Sequence, residues 1–514
     1  MMSLFDRRSA GISLPLFSIR SARSWGVGEL PDLPRFAAWM QRGRLRDLAL
    51  LPLNECALGQ ESPYAALSAF AIDPLYVSLE EVEDFEGVGS LTADAREALE
   101  AARHAPRVRH GTIRWLKAIA LRAAHRRFLS GPADGAPHRD FERFRAEHGA
   151  WLEDYALFRA IKERLHPSWW LDWPEPLRNR HPDALADARE RLADDVSFFE
   201  FVQWQAYRQL ERARAKVRAH GVRLLGDLPF TVAIDSADAW SRQDEFSVAE
   251  TLGAPPDPYA DQGQDWGLPS YRWETVRASN FAWMRQRARE AARLFDGARV
   301  DHVVGLYRSY VLPRDGRPPR FEPAHEDAQR ALGEAILRAL AEEGLAILAE
   351  DLGTVPDWVR HSLAGLGVPG YRVLRWEMDG SVFRDPAHWP ELSVATTGTH
   401  DTETLAAWWD GLFEEERWAF RSIPSLHADW EGVPPFDASV HDAILELLYA
   451  SPSRLVLLPI QDLFGLRDRI NVPGTIGPEN WSFRLPWDVD AMSADPFVMH
   501  HTRSAAERAA RHGR

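Results

Sequence analysis

Gly297-Ala298-Arg299-Val300-Asp301-His302 reads as a short strand, apolar at its start and charged at its end. Burying an unpaired charge costs several kcal/mol, so Arg, Asp and His this close together belong where a cleft or a ligand answers them. A second carboxylate closes the β-like run Leu345-Ala346-Ile347-Leu348-Ala349-Glu350-Asp351-Leu352-Gly353, and a third follows in Thr397-Gly398-Thr399-His400-Asp401. Acidic strand ends recurring in one βα rhythm point to an enzyme.

Working outward, eight short apolar runs alternate with longer helical patterns, the signature of βα units and a parallel sheet. They are Gly11 to Leu16, Leu48 to Leu53, Val222 to Phe230, Ala298 to Val304, Leu345 to Leu352, Tyr371 to Glu377, Ser393 to His400 and Arg454 to Ile460. The fold class expected is α/β, a (β/α)8 TIM barrel with inserted, mainly helical subdomains, in which functional groups collect at the strand C-terminal ends. All 514 residues form one catalytic unit in this reading. Residues 57–220 are a helical insertion after strand 2, with helices expected over Phe141 to Leu165 and Phe198 to Ala219. Phe141, Phe144, Trp151, Leu152, Tyr155 and Phe158 recur at helical spacing and read as its core. Residues 231–281 read as a loop insertion after strand 3 that covers a substrate groove, because long loops over a barrel mouth usually serve binding. The Arg-, Ala- and His-rich tail after Ala491 reads as a final helix or a frayed end.

Composition removes several classes of function. A net charge of -15 opposes nucleic-acid binding, which depends on Lys and Arg neutralising phosphates, and leaves a neutral substrate as the better fit. No run approaches the length of a membrane span, and Arg7, Arg8, Pro15 and Arg20 interrupt the apolar residues near the start, so no membrane and a cytoplasmic location are expected. The one cysteine, Cys56, excludes an intramolecular disulfide and reads as a small buried residue. No His-x-His or His-Glu-x-x-His spacing supports a metal, and Asp301-His302 and His400-Asp401 would point their side chains to opposite faces of a continuing strand. No metal is therefore expected. Gly365-Leu366-Gly367-Val368-Pro369-Gly370 precedes a strand where a dinucleotide site must follow one, so it reads as a turn.

Glycosyl transfer with retention needs one carboxylate as nucleophile and one carboxylic acid as proton donor, about 5 to 5.5 Å apart. A short Asp301 held by Arg299 stays an anion, whereas a longer Glu350 in a drier spot holds a proton near neutral pH. Asp401 is then free to accept hydrogen bonds from hydroxyls beside the reacting carbon, with His302 and His400 giving further contacts. Tryptophan, at 21 residues, is over-represented, and its flat faces suit the C–H faces of sugars. Trp266, between glycines and near Gln264, is placed to meet substrate. Trp169, Trp170 and Trp173 read as packing.

At these residues the chain resembles the amylomaltases, the 4-α-glucanotransferases of glycoside hydrolase family 77, over nearly its whole length. The matching segments include Ser24 to Leu30, Glu61-Ser62-Pro63-Tyr64, Gly226-Asp227-Leu228-Pro229, Asp235 to Trp240, Gly253 to Asp257 and Gly263-Gln264-Asp265-Trp266-Gly267, with Asp261 and Gln262 just before the last. Arg299 to His302, Ala349 to Gly353, Gly398 to Asp401 and Asn471-Val472-Pro473-Gly474-Thr475 continue the series. The resemblance implies Asp301 as nucleophile, Glu350 as general acid/base and Asp401 as transition-state stabiliser. It implies Tyr64 as the platform under the reacting glucose, surrounded by Asp227, Arg299, His302 and His400, with Ser62 and Asn471 as further binding residues. Gln264 and Trp266 would cover the groove. The implied reaction moves α-1,4-glucan segments between malto-oligosaccharides without a cofactor. Thr231, Ile234, Leu268, Val303 and Val304 depart from the family pattern near the groove. A retaining α-glucan hydrolase using the same trio, and a non-catalytic glucan-binding protein, are the alternatives. Oligomeric state, monomer or small homo-oligomer, is left open.

Overall fold

The computed structural model describes residues 5–82, 84–256 and 263–514; Asp257, Asp261 and Gln262 of the motifs above lie outside them. The architecture is a (β/α)8 barrel. Its strands, the only ones numbered here, are β1 (Ser9–Leu14), β2 (Asp47–Leu50), β3 (Arg223–Leu228), β4 (Gly297–Val300), β5 (Ile347–Ala349), β6 (Gly370–Val373), β7 (Ser393–Thr396) and β8 (Leu455–Pro459). Each pairs in parallel with its neighbours in chain order, and β1 closes on β8 with Ser9 opposite Leu455. Each of the eight expected strands falls on one of these, though most end several residues earlier than expected.

The period of two sorts the strand residues. Leu225, Leu348, Tyr371, Val394, Leu455 and Leu457 form a separate apolar cluster that fills the barrel interior. Residues of the same parity one step nearer the C-terminal ends are Asp227 on β3, Arg299 on β4 and, just past the strands, Asp301 and Glu350. Register sets Arg299 directly opposite Asp227 on one side and Leu348 on the other. The charged groups thus stand as a layer on top of the interior core. Gly226 lets β3 approach Phe295, because a Cβ there would come within 2.6 Å of that ring.

Between β2 and β3 the described chain forms the helices Ala93–His104, His110–Ser130, Ala136–Leu165, Glu175–Arg178, Pro182–Arg191 and Ala193–Ala219. Phe141, Phe144, Trp151, Leu152, Tyr155 and Phe158 are all buried along the longest of them. Trp170 and Trp173 are buried too, whereas Trp169, expected to pack, is 49% exposed. Cys56 is buried with a free thiol, and the C-terminal tail forms the helix Pro496–Arg511.

The segment 231–281 is not a simple loop. Phe246–Ala254 and Gln264–Tyr271 pair antiparallel, and Ser309–Pro313 and Arg320–Glu322 extend them into a four-stranded sheet. The first pair carries register irregularities, and its other partner strand comes from beyond β4. Neither bulges nor such distant pairing can be read from local alternation. A second departure lies between β6 and β7: the chain from Leu374 to Leu392 holds two short 3-10 turns and a two-residue hairpin but no α-helix.

The helical segment is tied to the barrel by Lys117, which is 1% exposed. Its ammonium reaches Glu29 Oε1 and the carbonyls of Leu75 and Val77, each at 2.7 Å. Removing one member of such a buried pair strands the other charge, so Lys117→Met is expected to destabilise the fold by about 3–5 kcal/mol. Urea unfolding measures this, and an unchanged midpoint contradicts it.

Candidate active site

Arg299 is the hub of the barrel mouth. Its Nη1 donates to Asp227 Oδ1 and Oδ2 at 2.9 and 2.7 Å and to the Tyr64 hydroxyl at 3.1 Å. Its Nη2 lies 2.8 Å from Asp301 Oδ1 and 3.8 Å from Glu350 Oε2. The two carboxylate oxygens are therefore no farther apart than those two legs laid end to end.

Local backbone geometry completes the pairing. After β4 the chain leaves the sheet, and His302 takes the left-handed conformation with φ of 44° before the short helix Val303–Tyr307. Such a φ is uncommon for a residue with a side chain. It turns the His302 N–H onto Glu350 Oε2 at 2.7 Å, while Leu352 N–H reaches Oε1 at 3.2 Å. Asp301 is held by its ion pair with Arg299 and by a 3.4 Å contact from the Phe230 N–H.

The carboxyl groups differ electrically. Burial pushes Glu350 up to about 8; Arg299 opposes the shift and the Asp301 charge adds to it. Burial also raises Asp227, to about 6, against the pull of Arg299. For Asp401 burial works the same way, but His400, Asn471 and the field of Arg299 outweigh it and hold the group below the ordinary carboxylate range. Asn471 Nδ2 donates to Asp401 Oδ1 at 2.6 Å, and His400 Nε2 lies 3.3 Å from Oδ2. That last contact corrects the expectation that His400 and Asp401 point apart: β7 has ended at Thr396, so they sit on a turn. Burial lowers His302 to about 4 and leaves a neutral imidazole able to donate and accept.

These groups line an open cleft that holds about 1440 Å³ of empty space. Tyr64 and His400 stack on its floor, 5.0 Å apart and within 16° of parallel. Trp266 meets the edge of the His302 ring at 4.8 Å and donates its indole N–H to Gln264 Oε1 at 2.9 Å. Ser62 accepts a long hydrogen bond from the Tyr64 N–H. Of the twelve residues singled out from sequence, eleven line this cleft. The exception is Asp227, which is 5% exposed and lies beneath the floor, bound to the Tyr64 hydroxyl at 2.7 Å and to Arg299. Among the departing residues, Thr231 and Leu268 reach the cleft wall; Ile234, Val303 and Val304 are buried.

Sequence reasoning missed two aromatic residues. Trp376, 43% exposed, stands on the rim just past β6, where its place at a strand end was a usable signal. Trp481 lies against His400 and Tyr64 at 5.7 and 6.1 Å. It arrives from beyond the last strand, and no local pattern announces it. Among the described residues no group of three or more His, Cys, Asp or Glu side chains is arranged to hold a metal ion.

A closed parallel (β/α)8 barrel thus carries an arginine-bridged carboxylate pair in an open cleft at its strand ends. The model of the 4-alpha-glucanotransferase family matches residues 14–490. The chain is 32% identical over 490 residues to a 4-alpha-glucanotransferase of Chlamydia pneumoniae, covering 92% of this chain and 91% of that one. It is 32% identical over 476 residues to the enzyme of the same name from Thermus thermophilus, covering 90% and 92%. Among solved structures, the fold is similar to an amylomaltase from Streptococcus agalactiae in complex with acarbose, with a TM-score of 0.84, 23% identity and coverage of 99% and 100%. The chain belongs to the 4-alpha-glucanotransferase family, and it is an enzyme.

The electrostatics give a direct expectation. Because the Asp301 charge disfavours a second anion, Asp301→Asn should move the Glu350 titration down from its midpoint near 8. Carbon NMR of labelled glutamate reads that midpoint, and an upward or absent shift contradicts the coupling.

Proposed function

We propose that the chain moves α-1,4-glucan segments between malto-oligosaccharides by a retaining double displacement, with Asp301 as nucleophile, Glu350 as general acid/base and Asp401 as transition-state stabiliser. The observation that carries this reading is the sharing of one guanidinium nitrogen by Asp301 and Glu350. The two contacts, 2.8 and 3.8 Å, cap the distance between those oxygens at their sum, a limit that accommodates the 5 to 5.5 Å suited to a covalent intermediate.

The roles follow from the environments. Asp301 Oδ attacks the anomeric carbon while Glu350, protonated at neutral pH because it is buried, gives its proton to the departing glycosidic oxygen. The first product leaves with a new 4-hydroxyl. Glu350, now a carboxylate, takes the proton from the acceptor 4-hydroxyl as that oxygen attacks the same carbon and releases Asp301. Positive charge grows on the sugar ring in both steps. The anionic Asp401, fixed by Asn471, accepts hydrogen bonds from the ring hydroxyls and favours the distorted ring. The Tyr64–His400 stack supplies a flat floor, and His302, Gln264, Ser62 and Trp266 offer hydroxyl and face contacts. Asp227 acts from below by holding Tyr64 and Arg299.

Transfer rather than hydrolysis requires the covalent intermediate to prefer a millimolar sugar over about 55 M water. That is a selectivity of roughly 10⁵, or about 7 kcal/mol at 1.36 kcal/mol per decade. The segment that carries Gln264 and Trp266 walls the cleft and would exclude water once a sugar is bound.

Maltotriose separates this reading from a hydrolase with the same trio. Glucose together with a ladder of longer chains at constant total glycosidic bonds is expected; steady loss of bonds overturns transfer. Glu350→Gln should slow turnover by about 10²- to 10⁴-fold. In the wild type, kcat/KM should fall as pH rises through about 8, where the proton donor is lost. A rate that stays level to pH 10 removes Glu350 from that role.

A further inference from the structure

Outside the cleft, a further open depression lies where the barrel lacks a helix, between β6 and β7. It holds about 1120 Å³ of empty space. Its walls come from the start of the helix Asp357–Gly365, from Arg372 on β6 and from the segment 377–390 that replaces a helix. The sequence pattern of alternating strands and helices did not mark it.

Charge balance decides what kind of ligand suits it. Three arginines, Arg360, Arg372 and Arg384, line the basin together with Asp357, Glu377 and Asp385. Beneath them Asp351, 1% exposed, pairs with Arg360 at 3.4 Å and Arg372 at 3.3 Å. Four carboxylates therefore answer three guanidinium groups, and no net positive field remains for a phosphate or another anion. Hydrogen-bonding capacity is nonetheless in excess. Arg384 is 56% exposed with an ion pair to Glu377 stretched to 3.9 Å, and His361 and His388 stand exposed on the walls. Fixed donors beside fixed acceptors, with no positive excess and only one negative charge over balance, match a neutral ligand rich in vicinal hydroxyls, each of which both donates and accepts.

The position of the basin narrows the ligand further. Trp376 lines the cleft and Glu377 lines the basin, so consecutive residues, whose Cα atoms lie ~3.8 Å apart, border the two depressions. A chain leaving the cleft over the exposed face of Trp376 would arrive at the basin. We propose that this basin is a second α-glucan-binding site, which engages the part of a long chain that extends past Trp376. The proposal rests on the glucanotransferase reading above and adds to it a structural basis for chain-length preference.

The test compares a short and a long glucan in the double variant Arg384→Ala/His361→Ala, both positions being exposed. KM for maltotriose should stay within twofold of wild type, while KM for maltodextrins of ten or more glucoses should rise at least fivefold. An unchanged ratio of the two KM values overturns the proposal. Asp357→Asn, also on the exposed wall, should move the same ratio in the same direction, and serves should the double variant not fold. Thermal shifts with inorganic phosphate and with long maltodextrin, on wild type and variant, test the ligand class: a shift with phosphate that the variant loses would reassign the basin to anions and overturn the proposal. Absence of any turnover of maltotriose by the wild type would instead refute the transferase reading, so the two failures are distinguishable.

Discussion

A single buried cation organises the mouth of this barrel. Arg299, with 15% of its side chain exposed, has lost most of its hydration and must be answered by anions. Asp227 takes one side of the guanidinium, and Asp301 and Glu350 share the other. Strand geometry makes this possible: Asp227 and Arg299 face each other in register, and Asp301 and Glu350 keep the same inward parity beyond the strand ends. One positive charge cannot stabilise three nearby negative ones equally. Burial then leaves Glu350, the most distant from the guanidinium, holding a proton near neutrality while Asp301 keeps the direct ion pair. In the proposed mechanism, the geometry around this one side chain is what separates the acid from the nucleophile.

The same interaction extends to Tyr64 on the floor of the cleft. The Tyr64 hydroxyl is held between Asp227 and Arg299, which fixes the ring that stacks on His400. His400 touches Asp401, and Asp401 is secured by Asn471 on the loop after β8. Contributions from distant parts of the chain thus converge through hydrogen bonds on one floor. Displacing Arg299 would take from Asp301 its ion pair and from the Tyr64 hydroxyl one of its two partners, while Glu350 would keep the His302 N–H. Asp227, though it lies under the floor, belongs to the same unit.

Much of this was legible in the sequence, for physical reasons that differ by element. The barrel strands are short apolar runs ending in charge, and the parity of Arg299, Asp301 and Glu350 follows from the period of two. What a linear pattern cannot carry is depth: Asp227 was expected around the sugar but is buried beneath Tyr64, a distinction set by a single hydrogen bond. The strands Phe246–Ala254 and Gln264–Tyr271 read as loop in the sequence because glycines, prolines and polar residues interrupt their alternation and because part of their pairing is with residues beyond β4. The missing helix after β6 leaves no mark for the opposite reason, since the strands on either side of it recur as regularly as the others. Trp481 reaches the site from a segment with no strand or helix of its own to mark it.

The account stands on Asp301 forming a bond to the sugar while Glu350, a few ångströms away, manages the proton. Mass spectrometry of peptides from Glu350→Gln, acid-quenched during reaction with α-glucosyl fluoride, tests this directly, because that donor needs no proton to depart. The peptide containing Asp301 should carry one added glucosyl group. An unmodified Asp301 with the label on another residue would contradict the account.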